Sequence, residues 1–193
     1  NPSLVGSEMC IRDSNMTTHA MIDLETLDTK PSCQILSLGA VKFNALTNSE
    51  PHSELYIKPD IDQQDANGRT SSDSTIEWWS KQDSKAMEEA FSAEGRMDID
   101  TMLTQLTKWL VGVDVIWGHG YGFDITILED LYRNWNRPIP WQFWQVKDSR
   151  TLFSCCKVDP RKAMQSDLHN ALADAYFQAK SVQVAYKELG VER

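Results

Sequence analysis

The sequence has few basic residues for its length, and this shortage excludes one class of protein. Its 193 residues contain 19 Lys and Arg against 28 Asp and Glu, which gives a formal net charge of −9. Non-specific affinity for nucleic acid comes mainly from Lys and Arg at phosphates, so this balance argues against a general polyanion binder. It does not exclude an enzyme that meets phosphates through bound metal ions.

Cysteine and long apolar runs are also scarce. The four cysteines show no metal-ligand spacing, and the last two are immediate neighbours. Such a set is typical of reduced thiols in a cytosolic protein rather than of a disulfide framework. No apolar run is long enough to span a membrane, so we expect no membrane partner.

The first 15 residues, NPSLVGSEMCIRDSN, lack the features of a folded segment. They have no hydrophobic period, no basic n-region and no apolar h-region, which argues against a signal peptide. Their sequence resembles a translated sequencing adapter, and Met16 is a plausible first residue of the native protein. We expect residues 1–15 to be a disordered, non-native leader and residues 16–193 to form a single domain.

From Met16 onward, strand and helix signals follow one another without a repeat or a linker. Three β-forming runs come first, at residues 20–25, 34–43 and 53–58. The polar residues 60–74 then predict a loop. Helix signals follow in residues 75–91, 98–112, 123–136 and 169–190, with strand signals at 113–118 and within 141–153. This order predicts an α/β fold, a mixed central sheet flanked by helices.

Four acids stand where an acid is structurally awkward. Asp23 and Glu25 lie on the first strand, where alternation projects both carboxylates from one face among apolar neighbours. Asp124 begins a helix directly after a strand, and Asp174 lies on the otherwise apolar final helix. Alone, Asp124 fits an acid favoured by the helix dipole, Asp174 fits a solvated face, and the first pair fits a solvated edge strand.

Together the four acids indicate a carboxylate cluster for hard cations. Mg²⁺ and Mn²⁺ prefer oxygen ligands and usually share their coordination with substrate phosphate. Two such ions about 3.5–4 Å apart can activate a water and stabilise the leaving oxygen of a phosphoryl displacement. Two divalent cations would also offset the charge of four carboxylates.

His169 precedes Asp174 by five residues, which on one helix would turn it about 140° away. We therefore place His169 in the loop that leads into the helix, where it can take a proton from a metal-bound water. A capping or surface histidine is the alternative for this residue taken alone.

Three motifs in order carry a family resemblance: DLET with Asp23 and Glu25, GFDITIL with Asp124, and HNALADA with His169 and Asp174. They resemble the exonuclease motifs of the DEDD superfamily, histidine subtype. TIEWWSKQ, VIWGHGYGFD and WQFWQVKDSRTL extend the resemblance to the branch of the mycobacterial-type 3′–5′ exoribonuclease and phage exonuclease A, over about residues 20–189.

The resemblance implies a ribonuclease H-like fold and metal-dependent hydrolysis from the 3′ end of a single-stranded or overhanging nucleic acid, with release of nucleoside 5′-monophosphates. It implies two Mg²⁺ or Mn²⁺ ions held by the four acids, with His169 as general base. Leu24 and Thr26 would seat the terminal nucleotide. A homodimer, and a location in the cytoplasm of a bacterial or phage-infected cell, are further expectations.

Other substrate contacts are weighed against structural roles. Trp78 and Trp79 point about 100° apart on a helix, so we expect Trp78 to stack on a base and Trp79 to pack in the core. Phe123 and Arg150 are further candidates, Arg150 for a phosphate, although an ion pair with Asp148 is an equal alternative. The glycines before Asp124 can leave room for substrate or simply form a turn; they are Gly118, Gly120 and Gly122.

Two other functions remain open from the sequence. The same fold can serve as a catalytically inactive module that binds nucleic acid or protein, and an acidic cluster can serve a calcium-stabilised structural domain. The choice between DNA and RNA depends on whether the site contacts or excludes a 2′-hydroxyl. No residue in the sequence indicates which of the two occurs.

Overall fold

The computed structural model describes residues 16–163 and 169–192, in which a six-stranded mixed sheet lies between two layers of helices. The strands are β1 (His19–Thr26), β2 (Ile35–Phe43), β3 (His52–Pro59), β4 (Arg96–Met97), β5 (Val115–Gly118) and β6 (Val146–Asp148). The helices are α1 (Ile61–Ala66), α2 (Asp73–Ser80), α3 (Ser84–Phe91), α4 (Ile99–Trp109), α5 (Asp124–Asn134), α6 (Ser149–Ser154) and α7 (Ala171–Leu189).

The strand order is β4-β3-β2-β1-β5-β6. β1, β2 and β3 form an antiparallel meander, whereas β5 and β6 run parallel to β1. The predicted α/β class and its mixed sheet are confirmed. β1 lies in the middle of this sheet, so its side chains are covered on both faces.

The predicted loop at residues 60–74 is wrong, because α1 and the start of α2 lie within it. The Asp60 side chain caps α1 by accepting from the Gln63 N–H. The buried side chain of this helix is Gln64, whose amide exchanges two hydrogen bonds with the backbone of Ile35. A helix that buries an amide instead of an apolar stripe has no hydrophobic period, which is why the sequence pattern missed it.

The two faces of β1 belong to different halves of the core. Ala20, Ile22 and Leu24 pack into the cluster that α4 and α5 complete, and Met21 packs into the cluster that α7 completes. Because side chains alternate along a strand, Asp23 and Glu25 share the face of Met21 and point toward α7.

The first turn of α7 lies directly on the sheet at Gly39 of β2, the residue paired with Asp23 of β1. A Cβ atom at this position would overlap the backbone of Ala171 and Leu172. The absence of a side chain at Gly39 therefore lets α7 approach the acidic end of β1.

Within residues 16–163 and 169–192, no helix combines the length and the apolar character that crossing a membrane requires. The expected leader at residues 1–15 lies outside the described part of the chain.

Candidate active site

Three of the four predicted acids converge where β1 meets α7. Asp23, Glu25 and Asp174 each offer a carboxylate oxygen, and these oxygens lie within 4.8 Å of one another. Strand alternation brings the first two to one face, and the first turn of α7 presents the third across from them. All three side chains are only partly covered, so the cluster is reachable from solvent.

Asp124, the fourth acid, lies beside this cluster and is held by backbone donors. One oxygen accepts from the Leu24 N–H at 3.0 Å, and the other accepts from the His119 N–H at 3.2 Å. The side chain is 1% exposed. This pair of bonds fixes the carboxylate between the first strand and the loop that follows β5, next to the other three acids.

Burial and mutual repulsion make this cluster hard to ionise. Burial raises the pKa of Glu25 to about 8, with the charges of Asp174 and Asp124 adding to the effect. Burial also raises the pKa of Asp124 to about 7, against the hydrogen bonds from His119 and Leu24. Burial, followed by the charges of Asp124, Glu25 and Asp174, raises the pKa of Asp23 well above its usual range. A bound cation is the compensation that such a group of carboxylates calls for.

The loop before α5 is fastened to the start of α6. The Asp148 carboxylate accepts from the Gly120 N–H at 2.8 Å, and it also caps α6 by accepting from the Arg150 and Thr151 N–H groups. Gly120 has φ +128°, a backbone conformation that favours glycine. Gly120 therefore meets a backbone requirement of this loop.

The same contacts concern Arg150, for which an ion pair with Asp148 was one alternative. Among the described residues, no ion pair joins its guanidinium to Asp148, whose oxygens are occupied by backbone donors. Arg150 is exposed and lines a cavity that Asp23 and Asp124 also line. It therefore brings a positive charge to the approach to the acids.

Two cavities open beside the carboxylates, and Leu24 and Phe123 line both of them. The larger, about 630 Å³, is lined by Asp23, His119, Tyr121 and Arg150 among others. The smaller, about 390 Å³, is lined by Glu25, Thr26, Thr29 and Trp78 among others. Leu24 and Phe123 thus form a ridge between a charged chamber and an aromatic one.

The two neighbouring tryptophans have different surroundings, as predicted. Trp79 is 1% exposed and donates from Nε1 to the backbone oxygen of Thr26 at 3.0 Å. Trp78 is 43% exposed and lines the smaller cavity. Of these two tryptophans, Trp78 is the one exposed enough to contact a ligand.

His169 lies in the loop before α7, in the position predicted for it, and is exposed. Its ring packs edge-on against Trp78 at a centroid distance of 5.0 Å and lies 6.5 Å from the ring of Trp79. The imidazole therefore lies beside the wall of the smaller cavity rather than inside the carboxylate cluster.

Two residues that shape the site had no role in the sequence analysis. Gly39 allows the close approach of α7, and its signal was an isolated glycine within an apolar strand. Gln178, one helical turn after Asp174, donates from Nε2 to Oδ1 of Asp23 at 3.0 Å. Its signal was a polar residue at i+4 from a predicted ligand on a helix rich in small apolar residues.

Solved nuclease structures share this fold at low sequence identity. Cell-death related nuclease 4 (CRN-4) is 16% identical with a TM-score of 0.60, over 91% of this chain and 65% of that one. E. coli Exonuclease I in complex with an oligonucleotide is 15% identical with a TM-score of 0.57, over 91% and 42%. The nuclease domain of 3′hExo, a DEDDh family member bound to rAMP, is 15% identical with a TM-score of 0.55, over 93% and 96%.

The chain therefore spans about two thirds of the first of these proteins and less than half of the second. No protein of curated function matches the sequence. The Rv2179c-like 3′–5′ exoribonuclease domain matches residues 18–186, and this match confirms the resemblance inferred from the three motifs. The chain belongs to this family, the Rv2179c-like 3′–5′ exoribonuclease domains, and has a ribonuclease H-like fold.

Proposed function

We propose that the protein removes nucleotides one at a time from the 3′ end of single-stranded or overhanging RNA or DNA, by metal-dependent hydrolysis that releases nucleoside 5′-monophosphates. The observation that carries this proposal is the convergence of Asp23, Glu25 and Asp174, with Asp124 fixed beside them. A family of exoribonuclease domains and the oligonucleotide and rAMP bound by two structural neighbours support the substrate class.

The acids fit two Mg²⁺ or Mn²⁺ ions. The donor set is all oxygen, which hard cations prefer, and the raised pKa values of Glu25 and Asp124 reflect carboxylates that a cation would stabilise in the charged form. Bound divalent ions supply charge stabilisation and an activated water for phosphodiester hydrolysis. Asp23, Glu25, Asp124 and Asp174 would hold them.

His169 is the proposed general base. Its exposed position in the loop before α7, against Trp78 of the smaller cavity, supports this role, because imidazole can accept a proton near neutral pH. The edge-on packing against Trp78 limits where the ring can lie. The variant His169→Ala should lose most of the hydrolytic rate and keep its affinity for Mn²⁺.

The two cavities suggest how a 3′ end is seated. We assign the terminal nucleoside to the smaller chamber, against Leu24, Thr26 and Trp78, where a base can stack on the open indole. Phe123 on the ridge would separate it from the next nucleotide. Arg150, in the larger chamber, would contact a phosphate of the retained strand.

Digestion of labelled oligonucleotides tests the proposal. Matched single-stranded RNA, single-stranded DNA and 3′-overhang duplexes, each labelled at the 5′ end, are incubated with Mn²⁺ or with EDTA. We expect stepwise shortening with Mn²⁺ only, and none with Asp23→Ala or Asp174→Ala. Asp100→Asn is the control, since Asp100 is an exposed acid on α4 away from the site. Full digestion by Asp174→Ala would overturn the assignment, and binding without digestion by the unaltered protein would indicate an inactive binding module.

The homodimer and the cytoplasmic location stay predictions. Sedimentation of the purified chain tests the first, with a molecular mass twice that of the 22.0 kDa chain as the expected result.

A further inference from the structure

We infer that Gln178 is a positioning residue for metal binding, which holds the Asp23 carboxylate in the cluster without adding a negative charge. The inference rests on the proposed metal-dependent function and extends it to a residue outside the four acids.

The geometry places Gln178 next to the cluster on the same helix as one of its acids. Gln178 follows Asp174 by one turn of α7, so both side chains lie on the same face of the helix. The Gln178 amide donates from Nε2 to Oδ1 of Asp23 at 3.0 Å. Among the described residues no donor contacts Oδ2 of Asp23, which leaves that oxygen for a cation.

The amide is the suitable donor for this position. It donates an N–H to a carboxylate oxygen of Asp23 and carries no charge of its own. A lysine or an arginine here would compete with the metal for the carboxylate, and an acid would add a further negative charge. A neutral donor orients the ligand and leaves the charge of the site unchanged.

The oxygen of the same amide can be compared with that of a second glutamine on α7. Gln178 Oε1 is buried and has no hydrogen-bond partner among the described residues. Gln183, further along α7, has the same property, so an unpaired amide oxygen does not by itself mark a site. The difference lies in the donors: Gln183 gives its amide hydrogens to the backbone oxygens of Asn44 and Ser49, and Gln178 gives one to an acid of the cluster.

This difference makes Gln183 the matched control for Gln178. Both are glutamines on α7 with one unpaired oxygen, and only one of them contacts a proposed metal ligand. Gln178→Leu removes the donor with little change in size, and Gln178→Met does the same with a side chain that suits a helix. Gln183→Leu removes two structural hydrogen bonds away from the site.

The experiment titrates the folded full-length protein with Mn²⁺ alone by calorimetry, and then measures hydrolysis of a labelled oligonucleotide over a range of Mn²⁺ concentrations. We expect Gln178→Leu and Gln178→Met to bind Mn²⁺ about 10- to 100-fold more weakly. They should need correspondingly more Mn²⁺ for half-maximal activity, with a rate at saturating Mn²⁺ within about threefold of the unaltered protein. Gln183→Leu should unfold at a lower temperature and bind Mn²⁺ as the unaltered protein does.

Unchanged Mn²⁺ affinity in both folded Gln178 variants would overturn the inference, as would an equal loss of affinity in Gln183→Leu. The proposed nuclease function fails separately, when the unaltered protein binds Mn²⁺ but digests no substrate; a weakened affinity in the Gln178 variants would then still support the role of Gln178.

Discussion

The two faces of β1 differ in chemistry, since one is apolar from Ala20 to Leu24 and the other ends in acids. One face carries Ala20, Ile22 and Leu24, all in the apolar core under α4 and α5. The other face carries the equally buried Met21 and then presents Asp23 and Glu25 to α7. The first face stabilises the folded chain by burying apolar surface. The second brings together carboxyl groups whose ionisation is opposed by burial and by one another.

This contrast indicates that the acidic end of β1 costs stability, and the cations proposed to bind there would offset that cost. A strand selected only for stability would continue the apolar pattern of Met21 at the next two positions on that face. The four acids therefore indicate function more strongly together than any of them does alone.

We expect the largest loss of stability at Gly39, where the backbone of α7 lies directly on the sheet. Gly39→Val places a branched side chain against the backbone of α7, which cannot move aside as a flexible side chain can. We expect a loss of stability above the about 1–3 kcal/mol that overpacking usually costs, together with loss of nuclease activity. Denaturant unfolding measures the first, and Gly39→Ala should show a smaller loss. Unfolding of Gly39→Val at the denaturant concentration of the unaltered protein would contradict the close approach of α7.

The next prediction compares the stability of one variant on each face of β1. Ile22→Ala, on the apolar face, should lower the free energy of unfolding by about 2–5 kcal/mol through the cavity it leaves. Asp23→Asn, on the acidic face, should leave the stability of the metal-free protein at pH 8 equal or higher, because it removes one of the repelling charges. Urea unfolding in EDTA compares the two variants. A similar loss in both would mean that Asp23 has a structural role like that of Ile22.

A smaller effect follows from pH. Burial raises the pKa of Glu25 from 4.5 to about 8 and that of Asp124 from 3.8 to about 7, so the folded state binds more protons than the unfolded state between these values. Stability from these acids is present at low pH and is lost as pH rises toward 8. Burial lowers the pKa values of His19 and His119 from 6.5 to about 4, which makes stability rise with pH up to about 6.5.

Above pH 6.5 only the acids of this set still titrate, so the metal-free protein should lose stability between pH 6.5 and pH 8.5. We expect its melting temperature in EDTA to fall by about 2–4 °C or more over this interval. Glu25→Gln should show a smaller fall, and Mn²⁺ should restore the melting temperature at pH 8.5. A melting temperature in EDTA that rises over this interval would contradict the raised pKa values.

The smallest effect on stability is expected at the open end of the site. Trp78→Ala should change the free energy of unfolding by less than about 1 kcal/mol, since the side chain is 43% exposed. It should raise KM for a single-stranded substrate by the equivalent of about 1–3 kcal/mol, the usual value of stacking one base on an aromatic ring. Trp144→Ala is the control, because Trp144 is 67% exposed and lies before β6, away from both cavities. Equal values of KM for the two variants would remove Trp78 from the substrate site.

The sequence predicted those parts of the fold and site that depend on local patterns. Alternation along β1 predicted that Asp23 and Glu25 share a face, and helical spacing predicted the loop position of His169. Helical spacing also predicted a helix within residues 98–112, where α4 lies, and the Asp98 side chain caps it by accepting from the Thr101 N–H.

The parts that the sequence did not predict depend on contacts between distant segments. α1 buries Gln64 against Ile35, so no apolar period marks it. Gln178 contacts Asp23 across 155 positions of the chain, and Gly39 matters only because α7 lies on it. The choice between an ion pair and separate roles for Asp148 and Arg150 needed the position of the Gly120 N–H. Each of these contacts joins residues that are far apart in the sequence, so the spacing of residue types along the chain does not reveal it.

We propose that the acidic face of β1 binds the metal ions with which the chain shortens a 3′ end. The most direct measurement follows a 5′-labelled single-stranded RNA in Mn²⁺ with the unaltered protein and with Asp23→Asn. We expect the RNA to shorten stepwise from its 3′ end with the unaltered protein and to stay intact with Asp23→Asn. Digestion by Asp23→Asn at the rate of the unaltered protein, or cleavage at internal positions, would contradict it.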